Sequence, residues 1–214
     1  MPYKKLDRIK SVSKLPKSEY HHGNLHDTLI SAAERMLDSG SQDALSLRGL
    51  AREAGVSQTA PYRHFEDKNA LLIKVATRGF RDFADALQQA VDDNTEKPPH
   101  SQLEALALAY VNFALSRSGV FSLMFLSDLL PRCDSQELAE TSIKSFRVLT
   151  TVVAACQGKA TSLPTDATVV ASWAMMHGLA MLLTHDVIHP KMTGGMTREQ
   201  VAAALCRMML FNNE

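Results

Sequence analysis

Glycine and proline are scarce in this chain, 10 and 8 of 214 residues, too few for a loop-rich all-β protein. No apolar run reaches the ~18 residues that a membrane span needs, so no membrane partner is expected. Cysteine is nearly absent. Cys133, Cys156 and Cys206 are odd in number and far apart, which argues against a disulfide framework or zinc-ligand spacing and for reduced thiols in the cytoplasm. The opening segment MPYKKLDRIKSVSKLPK carries charge but no apolar centre, unlike a secretory signal. Net charge is missing too, since 23 Lys and Arg balance 23 Asp and Glu. At first sight that balance speaks against a nucleic-acid partner.

What is present points elsewhere. Hydrophobic residues make up 45% of the chain, enough for a globular core. The charge is unevenly spread. Residues 1–80 hold 13 Lys and Arg against 9 Asp and Glu, and residues 81–214 hold 10 against 14. A basic head on an acidic body suits a protein that turns one end toward phosphates, although an excess of four also arises by chance.

Residues 1–20 lack helical periodicity and read as a flexible basic arm. From Asn24, a fitting N-cap, Leu25, Leu29, Ala32, Ala33, Met36 and Leu37 recur at spacings of three and four, and Gly40 marks the stop. Ser46 can cap a second helix, LRGLAREA. Gly55-Val56-Ser57 forms a tight turn. A third short helix, QTAPYRHF, follows, and Asp67 caps a fourth from Lys68 to about Val91. The polar stretch DDNTEKPPH separates it from five further helices near 101–116, 119–130, 134–157, 165–186 and 197–212. The pattern predicts an all-α chain with no strand alternation and no repeat. The last two helices are apolar nearly all round, so a partner subunit is their natural cover.

Residues 46–65, SLRGLAREAGVSQTAPYRHF, carry the strongest signal. Ala51 is small enough for two helices to cross, and Gly55 tolerates the positive φ of the turn. Leu50 and Val56 plug the space between the helices. Ser57 can cap the next helix, which places Pro61 at the edge of its first turn. Gln58, Thr59, Arg63 and His64 then form a polar, positive side able to meet base edges and phosphates, while Phe65 anchors inward. Lys68 adds an ammonium at a helix N-terminus, a setting that favours phosphate. An ordinary αα-hairpin that happens to contain Gly-Val-Ser is the alternative, but it leaves Tyr62, His64, Phe65 and Lys68 unexplained.

Residues 25–75 closely resemble the DNA-binding domain of the tetracycline-repressor-like family, through Ala32, Ala33, Leu47, Leu50, Ala51, Ala54, Gly55, Val56, Ser57, Tyr62, His64, Phe65, Lys68 and Leu71. The resemblance implies about nine helices, a homodimer, and repression relieved by a ligand. It implies phosphate contacts from Tyr62 and Lys68, and base or backbone contacts from Gln58, Thr59, Ala60 and Arg63. With His64 and Ser46 these make the expected DNA-binding set. Trp173, His177 and Gly178 look like the Trp-His-Gly signature of one C-terminal subgroup, as do YHHGNL at Tyr20–Leu25 and APYRHF.

Other constellations are weaker. His21, His22 and His26 cluster, yet without partners at metal-ligand spacing they read as a polar helix entry, and no metal is expected. Trp173 and His177 share a helix face. They either pack a core or dimer seam, with Gly178 allowing close helix approach, or line a ligand cavity. The stripe Tyr110, Phe113, Phe121, Met124, Phe125 and Phe146 is core or cavity wall. The expected effector site therefore takes in Phe83, Tyr110, Phe113, Met124, Phe125, Phe146, Trp173 and His177. No nucleophile, metal or cofactor motif suggests an enzyme, and no cofactor is expected. The domain plan is a basic arm over 1–20, a helix-turn-helix over 21–67, and a regulatory and dimerisation part over 68–214. The function expected is a ligand-responsive repressor on a near-palindromic double-stranded DNA operator, acting through a small apolar effector. A helix-turn-helix activator, or a regulator without a ligand, is the alternative.

Overall fold

A computed structural model describes residues 25–40, 45–130, 133–157 and 167–211. The basic arm, His21, His22 and the Asn24 cap lie outside these residues. Among them there are eight α-helices and no strand: α1 (Leu25–Asp38), α2 (Leu47–Glu53), α3 (Lys68–Asp92), α4 (Pro99–Ser116), α5 (Ser118–Leu126), α6 (Gln136–Cys156), α7 (Ala167–Thr184) and α8 (Arg198–Phe211).

Local chemistry sets most of these ends. Ser46 Oγ accepts the Gly49 N–H at 3.0 Å and starts α2. Asp67 does the same for α3, accepting the Ala70 N–H at 2.8 Å. Pro98 and Pro99 open α4, where a missing N–H costs nothing. At the end of α2, Gly55 takes φ 65°, the Val56 N–H bonds to the Ala51 carbonyl, and the Gly55 N–H bonds to the Arg52 carbonyl. That double closure is the Schellman stop, and a glycine satisfies it without a Cβ penalty.

The expected third helix is not an α-helix. Pro61–Arg63 form a single 3-10 turn, held by bonds from the Arg63 N–H to the Ala60 carbonyl and from the His64 N–H to the Pro61 carbonyl. Pro61 donates no bond and crowds the turn before it, so the segment tightens instead of running as an α-helix. Ser57 does not cap it; its hydroxyl pairs with Thr59 Oγ1 at 3.3 Å. The described residues accordingly hold eight α-helices, in keeping with the all-helical plan. The helix expected over 119–130 ends at Leu126.

Helix α3 is the central rod, packed along α4 and α6. One continuous apolar cluster runs from Leu29 and Ala33 of α1, through Leu50, Phe65, Leu71 and Val75, to Phe121, Val152 and Val169. Helices α4 and α5 meet at Arg117 and bend by 104°. The bend brings the start of α5 against the end of α1. Gly119 allows it: a Cβ there would sit 2.1 Å from the Leu37 carbonyl oxygen. Asp38, the last residue of α1, accepts the Val120 N–H at 3.0 Å and so caps α5 from another helix.

By length and composition α7 is apolar enough to cross a membrane, contrary to the sequence expectation. In the fold it packs on α4, α6 and α8 through Val169, Met176, Leu179, Ala180 and Leu183. Its opposite face leaves Val170, Met175 and Leu182 exposed. Gly178 makes no close helix approach among the described residues, because nothing lies within 4 Å of a Cβ built there.

Candidate functional site

Two features stand apart from ordinary packing: a polar outer surface at one end, and a cavity in the body.

The outer surface is built on the turn after α2. Pro61 and Phe65 are buried and pin the 3-10 turn inward, with Phe65 stacked on His26 at 5.0 Å. Between and around these anchors Gln58, Thr59, Tyr62, Arg63 and His64 face solvent, and Lys68 is exposed at the head of α3. Tyr62 is 51% exposed, which for a large ring with no packing role sets it out for contact. Ala60 is half-buried and supplies little beyond backbone. Ser46 is exposed, but its hydroxyl is used in capping α2. Among the described residues Arg63 and Lys68 have no ion-pair partner, whereas Lys74, Arg78, Arg81, Arg117 and Lys144 of the body are paired. The face thus offers two free cations, hydroxyl and amide groups and a helix N-terminus, the groups that hold phosphates and read base edges.

Among the described residues no group of three or more His, Cys, Asp and Glu could hold a metal. His21 and His22 lie outside them.

The cavity has a volume of about 420 Å³ and lies between α3, α4, α5, α6 and α7. Phe83, Tyr110, Phe125, Phe146 and Trp173 of the expected set line it. Phe113, Met124 and His177 do not. Phe113 packs behind Phe83 at 5.0 Å, and Met124 is buried in the core. His177 sits behind Tyr110, ringed by Phe121, Phe125 and Trp173. Helical phase is the cause: these side chains leave their helices on the core side of the cavity wall, and three-residue spacing alone does not tell wall from backing.

The walls that sequence reasoning missed are Phe80 and Leu87 of α3, and Ser142, Ile143, Ser145 and Leu149 of α6. Phe80 and Leu87 stand three and four residues from Phe83 and were legible as one helix face. Ser142 and Ser145 gave no signal, since two serines on a helix are ordinary.

A polar chain crosses the cavity wall. Trp173 Nε1 donates to the Tyr110 hydroxyl at 3.3 Å, and that hydroxyl lies 2.9 Å from His177 Nδ1. Burial holds the Tyr110 phenol well above its ordinary pKa, so it stays protonated. Burial also lowers His177, which favours the neutral ring, and in its Nε2–H tautomer Nδ1 accepts the Tyr110 proton.

A charged network ties α1 to α3 and to the α4–α5 bend. Arg78 of α3 donates to both carboxylate oxygens of Glu34 on α1, one bond at 2.8 Å, and to Ser31 Oγ at 2.8 Å. Arg117, at the α4–α5 bend, donates to Asp38 at 2.8 Å and lies 3.4 Å from Glu34 and 3.7 Å from Asp82. The Glu34 hydrogen bond raises Arg78, while burial, then the Glu34 charge, raises Asp82. Helix α5, whose Phe125 lines the cavity, is therefore tied to α1 by a carboxylate cap, an ion pair and a glycine contact. The sequence held no local sign of this, because 79 residues separate Asp38 from Arg117.

Residues 29–75 match the family model described as bacterial regulatory proteins, tetR family. Residues 103–208 match the one described as tetracyclin repressor-like, C-terminal domain. The chain is 29% identical to YobS, an uncharacterized HTH-type transcriptional regulator of Bacillus subtilis, over 98 residues, 46% of this chain and 50% of that protein. It spans half or less of the length of the curated relatives it matches. Among solved structures it is similar to a protein of unknown function from Rhodococcus sp. RHA1. That similarity has 32% identity and a TM-score of 0.75 and covers 92% of this chain and 98% of that one. The tetR-family regulator PfmR of Thermus thermophilus shares the fold at 18% identity, with a TM-score of 0.62 over 88% of this chain and 96% of that one.

Proposed function

The chain belongs to the tetracycline-repressor family of bacterial regulatory proteins, and we propose that it is a ligand-responsive transcriptional repressor. It binds a near-palindromic double-stranded DNA operator as a homodimer in the cytoplasm, and releases it when a small apolar effector enters the cavity. In this reading residues 21–67 grip the DNA and residues 68–214 dimerise and sense the effector. The observation that carries it is the surface of Gln58, Thr59, Tyr62, Arg63, His64 and Lys68, all solvent-facing around a turn that Pro61 and Phe65 fix from beneath. Trp173, His177 and Gly178 favour the Trp-His-Gly subgroup.

Assembly follows from α7. Val170, Met175 and Leu182 are exposed on one side, and Gly178 leaves open room beside them. A second copy covering α7 and α8 makes a four-helix seam with two-fold symmetry. Two recognition turns then meet successive major grooves, or a small multiple of that spacing.

Release works through two connections. Helix α3 spans 25 residues, roughly 37 Å at ~1.5 Å per residue, from Lys68 past the cavity residues Phe80, Phe83 and Leu87. Helix α5 runs from the cavity residue Phe125 to the cap on α1. An effector shifts the balance by its difference in affinity between the DNA-holding and DNA-releasing arrangements.

A gel shift of the purified protein on the DNA upstream of its own gene tests the reading. Wild-type affinity is expected to fall steeply with salt, and Lys68→Ala to weaken binding to all sequences and flatten the log–log slope by about one. An unchanged slope removes Lys68 from the phosphate contacts. Failure of the wild type to bind any such DNA overturns the repressor reading.

A further inference from the structure

The cavity presents hydrogen-bond acceptors and, among the described residues, no free side-chain donor. Ser145 Oγ donates its proton to the Ser142 carbonyl at 2.7 Å, and Ser142 Oγ donates to the Ala139 carbonyl at 2.9 Å. Each hydroxyl keeps only lone pairs for a visitor. Trp173 Nε1–H is committed to the Tyr110 oxygen. With Trp173 already donating to the phenol oxygen, the Tyr110 O–H has His177 Nδ1, 2.9 Å away, as its acceptor when the imidazole carries its proton on Nε2. Tyr110 too is left with a lone pair.

Among the described residues the lining carries no Asp, Glu, Lys, Arg or His. Its one ionisable group, Tyr110, stays protonated. An anion brought here meets neither a cation nor a free N–H, and desolvation goes uncompensated. An ammonium finds ring faces but no carboxylate. The rings stand edge to face, Tyr110 on Phe83 at 4.9 Å and Trp173 on Phe146 at 5.8 Å, an arrangement that leaves flat ring surface for another aromatic. The volume, about 420 Å³, falls within the ~300–1,000 Å³ of small-molecule sites.

We propose that the cavity takes an uncharged aromatic molecule bearing an O–H or N–H donor, a phenol- or indole-type ligand, seated on the aromatic wall with its donor on the lone pairs of Tyr110 and the α6 serines. The proposal rests on the reading of this cavity as the effector site.

Four probes on one ring system test it by titration calorimetry of the full-length protein at neutral pH: β-naphthol, its methyl ether, β-naphthoate and β-naphthylmethylammonium. β-Naphthol is expected to bind tightest. The ether, which has lost the donor, is expected to bind about 3- to 10-fold more weakly, the worth of one hydrogen bond. The two ions are expected to bind more weakly still. Tyr110→Phe and Ser145→Ala, checked for folding by circular dichroism, should each narrow the gap between naphthol and ether. Tighter binding of the ammonium or the naphthoate overturns the proposal, as does equal binding of naphthol and ether, or no binding by any probe. A gel shift with β-naphthol separates this from the broader reading. Naphthol binding that leaves the operator complex intact supports the ligand class and refutes effector-driven release.

Discussion

The contact between α1 and α5 can be broken by one methyl group. In Gly119→Ala the new Cβ would stand 2.1 Å from the Leu37 oxygen, 2.2 Å from the Leu37 carbonyl carbon and 2.7 Å from the Asp38 nitrogen. All three are backbone atoms, so no side chain can swing aside. To reach ordinary contact the two helices must part by about 1 Å or more. Overpacking of this kind costs about 1–3 kcal/mol. The same movement stretches the bond from the Val120 N–H to Asp38, now 3.0 Å, and a lost N-terminal cap adds about 1 kcal/mol. The expected loss is about 2–4 kcal/mol, which for a chain of this size lowers Tm by about 5–15 °C. Thermal denaturation followed by circular dichroism reads it directly. Gly79→Ala is the comparison: its Cβ would meet Val120 Cγ1 at 2.7 Å and Met124 Sδ at 2.8 Å, side-chain atoms of which the flexible Met124 can swing aside and the stiff Val120 must shift slightly. A Gly119→Ala protein melting within about 2 °C of wild type, or one less affected than Gly79→Ala, would refute the argument that backbone contact sets the spacing of α1 and α5.

Two further outcomes follow from other parts of the fold. Leu182→Glu places a carboxylate on the exposed apolar face of α7, where the side chain is 44% exposed; sedimentation should show dimers giving way to monomers with helix content kept, and an undisturbed dimer would move the seam elsewhere. Burial lowers the His177 pKa in the folded chain, so below the ordinary value near 6.5 the unfolded chain binds more protons than the folded one. Stability should therefore be full above that pH and decline as pH falls from there through the folded-state pKa. Tyr110, Phe121, Phe125 and Trp173 surround His177, none of them charged, and His177→Gln should flatten that acid-side decline in Tm against pH.

Most of the helices and the exposed turn after α2 were legible in the sequence because they are decided locally. Ser46 and Asp67 cap the helices they precede, Gly55 takes the positive φ its turn needs, and the three- and four-residue spacing in α1 and α3 puts Leu29, Ala33, Leu71, Val75 and Phe83 in the core. The exposed set around Pro61 and Phe65 follows from the same short range. Even there two local rules compete: Pro61 forces a 3-10 turn where polarity alone suggests an α-helix.

Tertiary structure decided what depends on distance in the chain. Whether Phe113, Met124 and His177 bound the cavity or back it turns on how α3, α4, α5 and α7 are rotated against one another, and helical period leaves that rotation open. Ser142 and Ser145 became wall residues only because α6 packs along α3, and their spent donors set the polarity of the site. Asp38 caps α5 across 82 residues, and Glu34 meets Arg78 across 44. The sequence by itself determined most of the helices, the turn and the polar groups on its outer surface, since each needs neighbours only a few residues away. The cavity and the tie between α5 and α1 exist only once distant helices pack, because burial and pairing there are properties of the assembled interior.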